Sequence, residues 1–165
     1  MTTKLYSGEE LNTVFNSNIN NKLFFNKVAI DSREVSNRGI FFAIKGDHDD
    51  GHRYVSGVLK NKNNLAIISK GPKNTRSIRS KNTLESLRNL ASYARQRSNA
   101  KIVAITGSCG KTSLKNLLNS SLSKIGKTHC SPKSFNNHFG VPYSLANLSA
   151  DNKYGIFELG MSSKG

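Results

Sequence analysis

The residues that most clearly point to chemistry lie in one short stretch, "VAITGSCGKTS", at residues 103–113. An apolar run leads into two glycines, Gly107 and Gly110, and Lys111 and two hydroxyl residues follow at once. A strand that feeds a Gly-rich turn and then a helix directs backbone N–H groups and the positive end of the helix dipole toward a bound anion. Lys111 can neutralise phosphate charge and the Thr112 hydroxyl can ligate Mg²⁺. The stretch therefore predicts a loop that binds the phosphates of a nucleotide. It has two residues between its glycines, whereas the common loop has four. The alternative is an ordinary strand-to-helix turn.

A carboxylate near the end of the sequence is the candidate second ligand for the metal. Mg²⁺ binds through one or two acidic side chains together with phosphate oxygens. Glu158 lies at the end of the apolar run "YGIFEL", and ligands of α/β proteins bind at the carboxyl ends of parallel strands. Asn136 and Asn137 precede this run, and their amides suit contacts to phosphate, metal-bound water or ribose. The alternatives are a surface glutamate and asparagines that only form turns.

The composition is strongly basic, with 25 Lys and Arg against 10 Asp and Glu, a net charge of +15 and a pI near 10.1. This charge suits a nucleic-acid or anionic-membrane surface, or solvated faces that attract a phosphorylated substrate. The basic residues concentrate in residues 70–101 without interleaved aromatics, and no zinc-finger or RNA-recognition motif is present. We therefore expect no nucleic-acid partner.

Other features of the sequence favour a cytoplasmic location. No apolar run approaches the roughly 18 residues that cross a bilayer, so we expect no transmembrane segment. The N-terminal residues "MTTKLYSGEELNTVF" lack the layout of a signal peptide. Two cysteines, Cys109 and Cys130, are too few for a disulfide framework and fit a reducing compartment.

The elements that must position these residues read as α/β. Short apolar runs predict strands at 27–31, 39–46 and 65–69, and helical spacing predicts a helix capped by Ser7 and a second helix over 51–61. The polar stretch 70–82 predicts a loop or linker. Helical spacing then predicts a helix from about Thr83, a strand at 101–106, a helix from Lys111 that stops at Gly126, and a strand at 154–159. The apolar stripe of the Lys111 helix comprises Leu114, Leu117, Leu118, Leu122 and Ile125.

This pattern divides the chain into residues 1–82, a connecting helix at 83–99, and residues 100–165. A parallel sheet that begins near residue 100 has two or three strands by Gly165, whereas open sheets usually carry about four to six. We therefore expect the second domain to be incomplete and the sequence to be the N-terminal part of a longer protein.

Several motifs together resemble the Mur ligase family. They are "ITGSCGKTSLKNLL", "SFNNHFGVPYSLANL" and "FELGMSSKG", preceded by "AIDSREVSNRGIFFAIKGDHDDGHRYVSGVL" at residues 29–59. The resemblance implies a small α/β domain at 1–82 that binds the UDP end of the substrate, followed by the start of a P-loop ATPase domain with a parallel sheet. It also accounts for the short loop, because this family uses G-x-x-G-K-T/S.

The resemblance implies an ATP-dependent ligase of peptidoglycan precursor synthesis. The "FNN…GVP" segment is closest to the members that join D-alanyl-D-alanine to UDP-N-acetylmuramoyl-tripeptide through an acyl phosphate, with ATP and Mg²⁺. We expect a monomer in the cytoplasm, and no ligase activity from residues 1–165 alone. The alternatives are a tripeptide-synthase member of the family, a related folylpolyglutamate synthase, or a non-catalytic nucleotide-binding module with a basic surface.

Matching by position implies roles for individual residues. Lys111 and Glu158 would be catalytic, and Thr112 and Glu158 would hold Mg²⁺. The residues that would bind ATP are Gly107, Ser108, Cys109, Gly110, Lys111, Thr112, Ser113, Asn136 and Asn137. The residues that would bind the UDP end are Asp31, Ser32, Arg33, Gly46, Asp50, Gly51 and His52, although His52 could instead only cap the following helix. The sequence departs from the family at Cys109, at Lys133 and Ser134, and at "SSK" after "GM".

Overall fold

A computed structural model describes residues 4–47, 49–72, 74–132 and 138–160. The chain forms two compact units, Met1–Leu90 and Ala91–Gly165. In the described ranges, no helix is long and apolar enough to cross a membrane.

The first unit begins with two short antiparallel strands and a capped helix that lies between them in the sequence. Strand β1 (Tyr6–Ser7) leads into helix α1 (Gly8–Phe15) and pairs antiparallel with β2 (Phe24–Phe25). The predicted cap is confirmed, because the Ser7 hydroxyl accepts from the Glu10 N–H at 3.2 Å and the Glu10 carboxylate accepts from the Ser7 N–H at 2.7 Å. This reciprocal pair is a capping box, which satisfies two backbone donors at the helix start.

The body of this unit is a four-stranded parallel sheet. Its strands are β3 (Lys27–Ala29), β4 (Gly39–Phe42), β5 (Leu65–Ile68) and β6 (Ser77–Arg79), in the order β3-β4-β5-β6. Every residue of β4 and β5 is buried, as expected for central strands of a parallel sheet covered on both faces. The α/β class predicted from sequence is therefore confirmed.

Two predictions for this unit were wrong in detail. The stretch 70–82 contains β6, an edge strand in which Ile78 is the buried residue, and one apolar side chain is too weak a signal for a strand. The predicted helix over 51–61 is a 3₁₀ turn at Gly51–Tyr54 followed by the short helix α2 (Val55–Val58). Tyr54, the last residue of the 3₁₀ turn, is 42% exposed.

Helix α3 (Thr83–Arg97) begins at the predicted residue. The Asn82 side chain accepts hydrogen bonds from the Leu84 and Glu85 N–H groups and so caps the helix. The helix buries one apolar stripe, which comprises Leu87, Leu90, Ala91 and Ala94, as the helical spacing of these residues predicts.

The second unit is also built on a parallel sheet. It contains β7 (Lys101–Ile105), α4 (Lys111–Leu122), β8 (Thr128–Cys130), α5 (Gly140–Ala146) and β9 (Tyr154–Glu158). The strand order is β7-β9-β8, so β9 is the central strand. Strand β8 and helix α5 were not predicted.

The buried face of α4 differs from the predicted apolar stripe. Leu114, Leu117 and Ile125 are 46%, 65% and 60% exposed, whereas Lys115 is 2% exposed. The helix ends at Leu122, before Gly126. The Gly126 N–H donates to the Leu122 carbonyl at 3.0 Å, so the turn that follows the helix closes at the predicted glycine.

Candidate functional site

The glycine loop connects β7 to α4 in the second unit. Gly107 has φ +142° and Gly110, the N-cap of α4, has φ +75°. A Cβ at Gly110 would meet nothing within 4 Å. Glycine is therefore required by the backbone conformation, which L side chains rarely adopt, and not by lack of space.

The loop leads into the first turn of α4, whose N–H groups have no partners within the helix. The first intrahelical hydrogen bond runs from the Leu114 N–H to the Gly110 carbonyl at 2.9 Å, so the N–H groups of residues 111–113 lie in the unpaired first turn. Gly110 provides no side-chain cap. The Lys111 ammonium donates to the Gly107 carbonyl at 2.6 Å and so lies across the loop. Backbone donors, the helix dipole and this ammonium together form a concentrated anion-binding surface.

Glu158 lies beside the loop at the carboxyl end of β9. It pairs in register with Ile105, the last residue of β7, and it is 1% exposed. The Thr112 hydroxyl donates to Glu158 Oε2 at 3.1 Å. The structure thus brings together the two residues that the sequence analysis assigned to the metal.

Lys115 is a residue of this site that sequence reasoning missed. Its Nζ lies 3.2 Å from Glu158 Oε2, the oxygen that Thr112 also contacts. The available signal was its spacing, because Lys115 follows Lys111 by four residues and so lies on the same helix face. The leucines of α4 gave a stronger apolar pattern and so predicted a different buried face.

The donor atoms here suit Mg²⁺ bound together with phosphate. A hydroxyl and a carboxylate oxygen are the hard ligands that Mg²⁺ prefers. In the described parts of the chain, no three His, Cys, Asp or Glu side chains form a group that could hold a metal ion. Thr112 and Glu158 supply one hydroxyl and one carboxylate oxygen, and Mg²⁺ in such sites takes further ligands from phosphate oxygens and water.

The remaining residues of the predicted ATP site divide into two sets. Ser108, Cys109 and Ser113 are exposed on the loop and the first turn of α4. Asn136 and Asn137, with the departures at Lys133, Ser134 and "SSK", lie outside the described residues. The second cysteine, Cys130, is half-buried on β8, and burial raises the pKa of its thiol.

In the first unit, His52 forms part of a structural network. Its Nε2 accepts from the Ser69 N–H at 2.9 Å, so its Nδ1 carries the proton and donates to Asp50 Oδ1 at 2.6 Å. Lys70 lies 2.5 Å from the other Asp50 oxygen. Hydrogen bonds from Lys70 and His52 hold the pKa of Asp50 well below its usual range. These contacts join the turn at Gly51 to the end of β5 and leave His52 few atoms for a ligand.

Ser32 and Arg33 line a cavity of about 480 Å³ in the same unit. Arg53 and Tyr54 also line this cavity, and it contains no acidic side chain among its lining residues. The Asp31 carboxylate lies 2.7 Å from the Arg33 guanidinium, and this contact raises the pKa of Arg33. Two arginines therefore line this cavity, and each guanidinium lies near a carboxylate, because Arg53 lies 3.6 Å from Asp49.

The predicted UDP-binding residues therefore do not all line one cavity. Gly46 lies in the turn where its N–H donates to the Asp49 carbonyl at 2.9 Å. Gly51 is required by close packing, because a Cβ would lie 2.9 Å from the Ile44 carbonyl oxygen. His52 lines a separate cavity of about 390 Å³.

Comparisons with known proteins agree with this geometry. Residues 105–165 match the Mur ligase middle domain. The chain is 38% identical over 144 residues to the UDP-N-acetylmuramoyl-tripeptide--D-alanyl-D-alanine ligase of Buchnera aphidicola subsp. Acyrthosiphon pisum, which covers 87% of the chain and 32% of that protein.

Two solved structures are similar as well. A crystal structure of MurF from Acinetobacter baumannii has a TM-score of 0.83 at 27% identity and covers 100% of the chain and 38% of that protein. MurF ligase from Thermotoga maritima in complex with ADP has a TM-score of 0.65 at 26% identity and covers 80% of the chain and 31% of that protein. The chain spans about a third of the length of these proteins.

Proposed function

We propose that the chain, as a member of the Mur ligase family, takes part in ATP-dependent amide-bond formation in peptidoglycan precursor synthesis. The proposed substrates are UDP-N-acetylmuramoyl-tripeptide and D-alanyl-D-alanine, after the names of its relatives. The observation that carries the proposal is the hydrogen bond between Thr112 and Glu158, formed beside a glycine loop at the carboxyl ends of two parallel strands. That arrangement places oxygen ligands for a metal ion next to hydrogen-bond donors for phosphate.

In this proposal the loop from Gly107 to Ser113 binds the ATP phosphates. The N–H groups at the start of α4 donate to phosphate oxygens, and Lys111 exchanges its contact with the Gly107 carbonyl for one with the terminal phosphates. Thr112 and Glu158 would hold Mg²⁺, which when bound supplies neutralisation of phosphate charge.

The chemistry that such a site supports is carboxylate activation. A carboxylate oxygen of the tripeptide attacks the γ-phosphorus, the bond to the β-phosphate oxygen breaks, and ADP leaves. The amine of D-alanyl-D-alanine then attacks the acyl carbon, loses a proton, and displaces inorganic phosphate. Lys111 and the loop donors contribute by positioning the phosphates and stabilising the charge that develops in transfer.

The UDP end of the substrate is assigned to the first unit. Arg33 and Arg53 line the cavity beside Ser32, and arginine forks match phosphate oxygens well. Asp31 orients Arg33, while Asp50 and His52 stabilise the neighbouring turn. A cytoplasmic monomer, with its two cysteines free, is the state we propose for this chemistry.

Calorimetric titration of the chain with Mg·ADP tests the nucleotide site. Lys111→Ala should weaken binding by about 10- to 100-fold, because a charge-assisted contact to phosphate is lost. Lys101→Ala is the matched control, since it removes the same charge from the opposite end of β7, roughly 15 Å from the loop. Equal affinities of the wild type and Lys111→Ala would contradict the assignment of the loop.

A second titration tests the first unit, with UDP alone as the probe. Arg33→Ala should weaken UDP binding while leaving Mg·ADP binding unchanged. Arg88→Ala, an exposed arginine on α3, controls for net charge. Unchanged UDP binding in Arg33→Ala would remove this cavity from the proposal.

A further inference from the structure

Lys115 is buried where an apolar residue would be expected to stabilise α4. Its side chain is 3% exposed, while Leu114 and Leu117 of the same helix point to solvent. Removing an ammonium and a carboxylate from water carries a large desolvation penalty, and replacing such a pair with apolar residues often stabilises a protein. A buried lysine at this position therefore calls for an explanation other than packing.

The location of Lys115 also opposes helix stability. It lies in the second turn of α4, close to the positive end of the helix dipole, and it follows another lysine, Lys111, by four residues. Cations near a helix N-terminus and like charges at this spacing both destabilise a helix. Lys115 is nevertheless held against Glu158 Oε2, the oxygen that also accepts from Thr112. The helix thus carries a costly charge at the carboxylate that we assign to the metal.

We propose that Lys115 is a positioning residue that acts as the resident counter-ion of Glu158. It holds the carboxylate beside Thr112 and offsets its negative charge, so that a divalent cation binds at Glu158 only together with nucleotide phosphates. The physical reason is charge balance, because one ammonium and one carboxylate sum to zero and offer a free cation no net attraction. This inference rests on the proposed function of the loop.

The test measures binding of Mn²⁺ alone, as a paramagnetic substitute for Mg²⁺, by electron paramagnetic resonance on the full chain without nucleotide. Lys115→Met, of similar volume but uncharged, should bind Mn²⁺ at least about tenfold more tightly than the wild type, because a neighbouring positive charge is lost. Lys115→Arg keeps the charge and should resemble the wild type. Adding Glu158→Gln to Lys115→Met should abolish the gain, which a merely structural role of Lys115 would not predict.

Unchanged Mn²⁺ affinity in Lys115→Met would overturn the inference. Circular dichroism checks folding, and Lys115→Gln, which keeps a hydrogen-bond donor for the carboxylate, replaces Lys115→Met if that variant does not fold. Mg·ADP binding by the wild type separates the two proposals. Its absence would contradict the nucleotide site itself, whereas its presence with no gain in Mn²⁺ affinity would contradict the role of Lys115 alone.

Discussion

Acidification should destabilise the second unit through one buried histidine, His129. This residue lies on β8, with its ring centroid 5.6 Å from that of Phe157 and its Nε2 3.2 Å from the Ser144 hydroxyl. Because Ser144 donates its own proton to Ser131, the Nε2 of the neutral ring is the donor to Ser144. Burial lowers the pKa of His129 from 6.5 to about 4.

The sign and size of the effect follow from this pKa. The unfolded chain takes up a proton below pH 6.5, whereas the folded unit resists protonation until about pH 4. Stability is therefore fully present above pH 6.5 and is lost as the pH falls toward 4. Linkage gives a loss of about 2 kcal/mol between pH 7 and pH 5 for one such group. Carboxylates with lowered pKa contribute little here, because their unfolded values lie near 3.9.

Hydrogen–deuterium exchange of the β8 and β9 amides measures this loss within the unit itself. After correction for intrinsic exchange rates, protection in the wild type should fall roughly 20-fold between pH 7 and pH 5. His129→Gln removes the titrating ring and should show little change over the same interval. An equal loss of protection in His129→Gln and the wild type would show that His129 does not cause the loss.

Two further predictions concern the loop. Gly110→Ala should weaken Mg·ADP binding and lower the free energy of unfolding by about 1–2 kcal/mol, because a φ of +75° strains an L residue although space is free. Gly57→Ala in α2, which has equal space and no positive φ, should be neutral or stabilising. Equal effects at both sites would contradict this prediction. Iodoacetamide should modify exposed Cys109 faster than half-buried Cys130, whose thiol pKa is raised. Mg·ADP should protect Cys109 from this modification, which mass spectrometry measures. Modification of Cys130 first, or no protection of Cys109, would contradict the placement of phosphate at the loop.

Local signals in the sequence were sufficient for much of the fold. The capping box at Ser7 and Glu10 and the continuous apolar runs of β4 and β5 depend on neighbouring residues, which a sequence displays directly. The glycine loop was identifiable for the same reason. Glu158 was predicted to lie at the site because a charge at the end of an apolar run is conspicuous, and the structure places it beside Thr112.

Features that depend on distant partners were missed. The role of Lys115 depends on Glu158, and Leu114 and Leu117, which were expected on the buried face of α4, are exposed. The contacts of the His52 ring with Asp50 and with the Ser69 N–H, 17 residues away, were likewise not predicted. Such contacts form only when the chain is folded, and helical spacing does not reveal them.

The most direct test of the central claim is a titration of the ¹⁵N-labelled chain with Mg·ADP, followed through the backbone amide resonances. If the loop and Glu158 form the nucleotide site, the largest shifts will occur at the amides of residues 107–113 and at residue 158. The first unit should be little affected. Largest shifts at the basic cavities of the first unit, with the loop amides unchanged, would contradict the account.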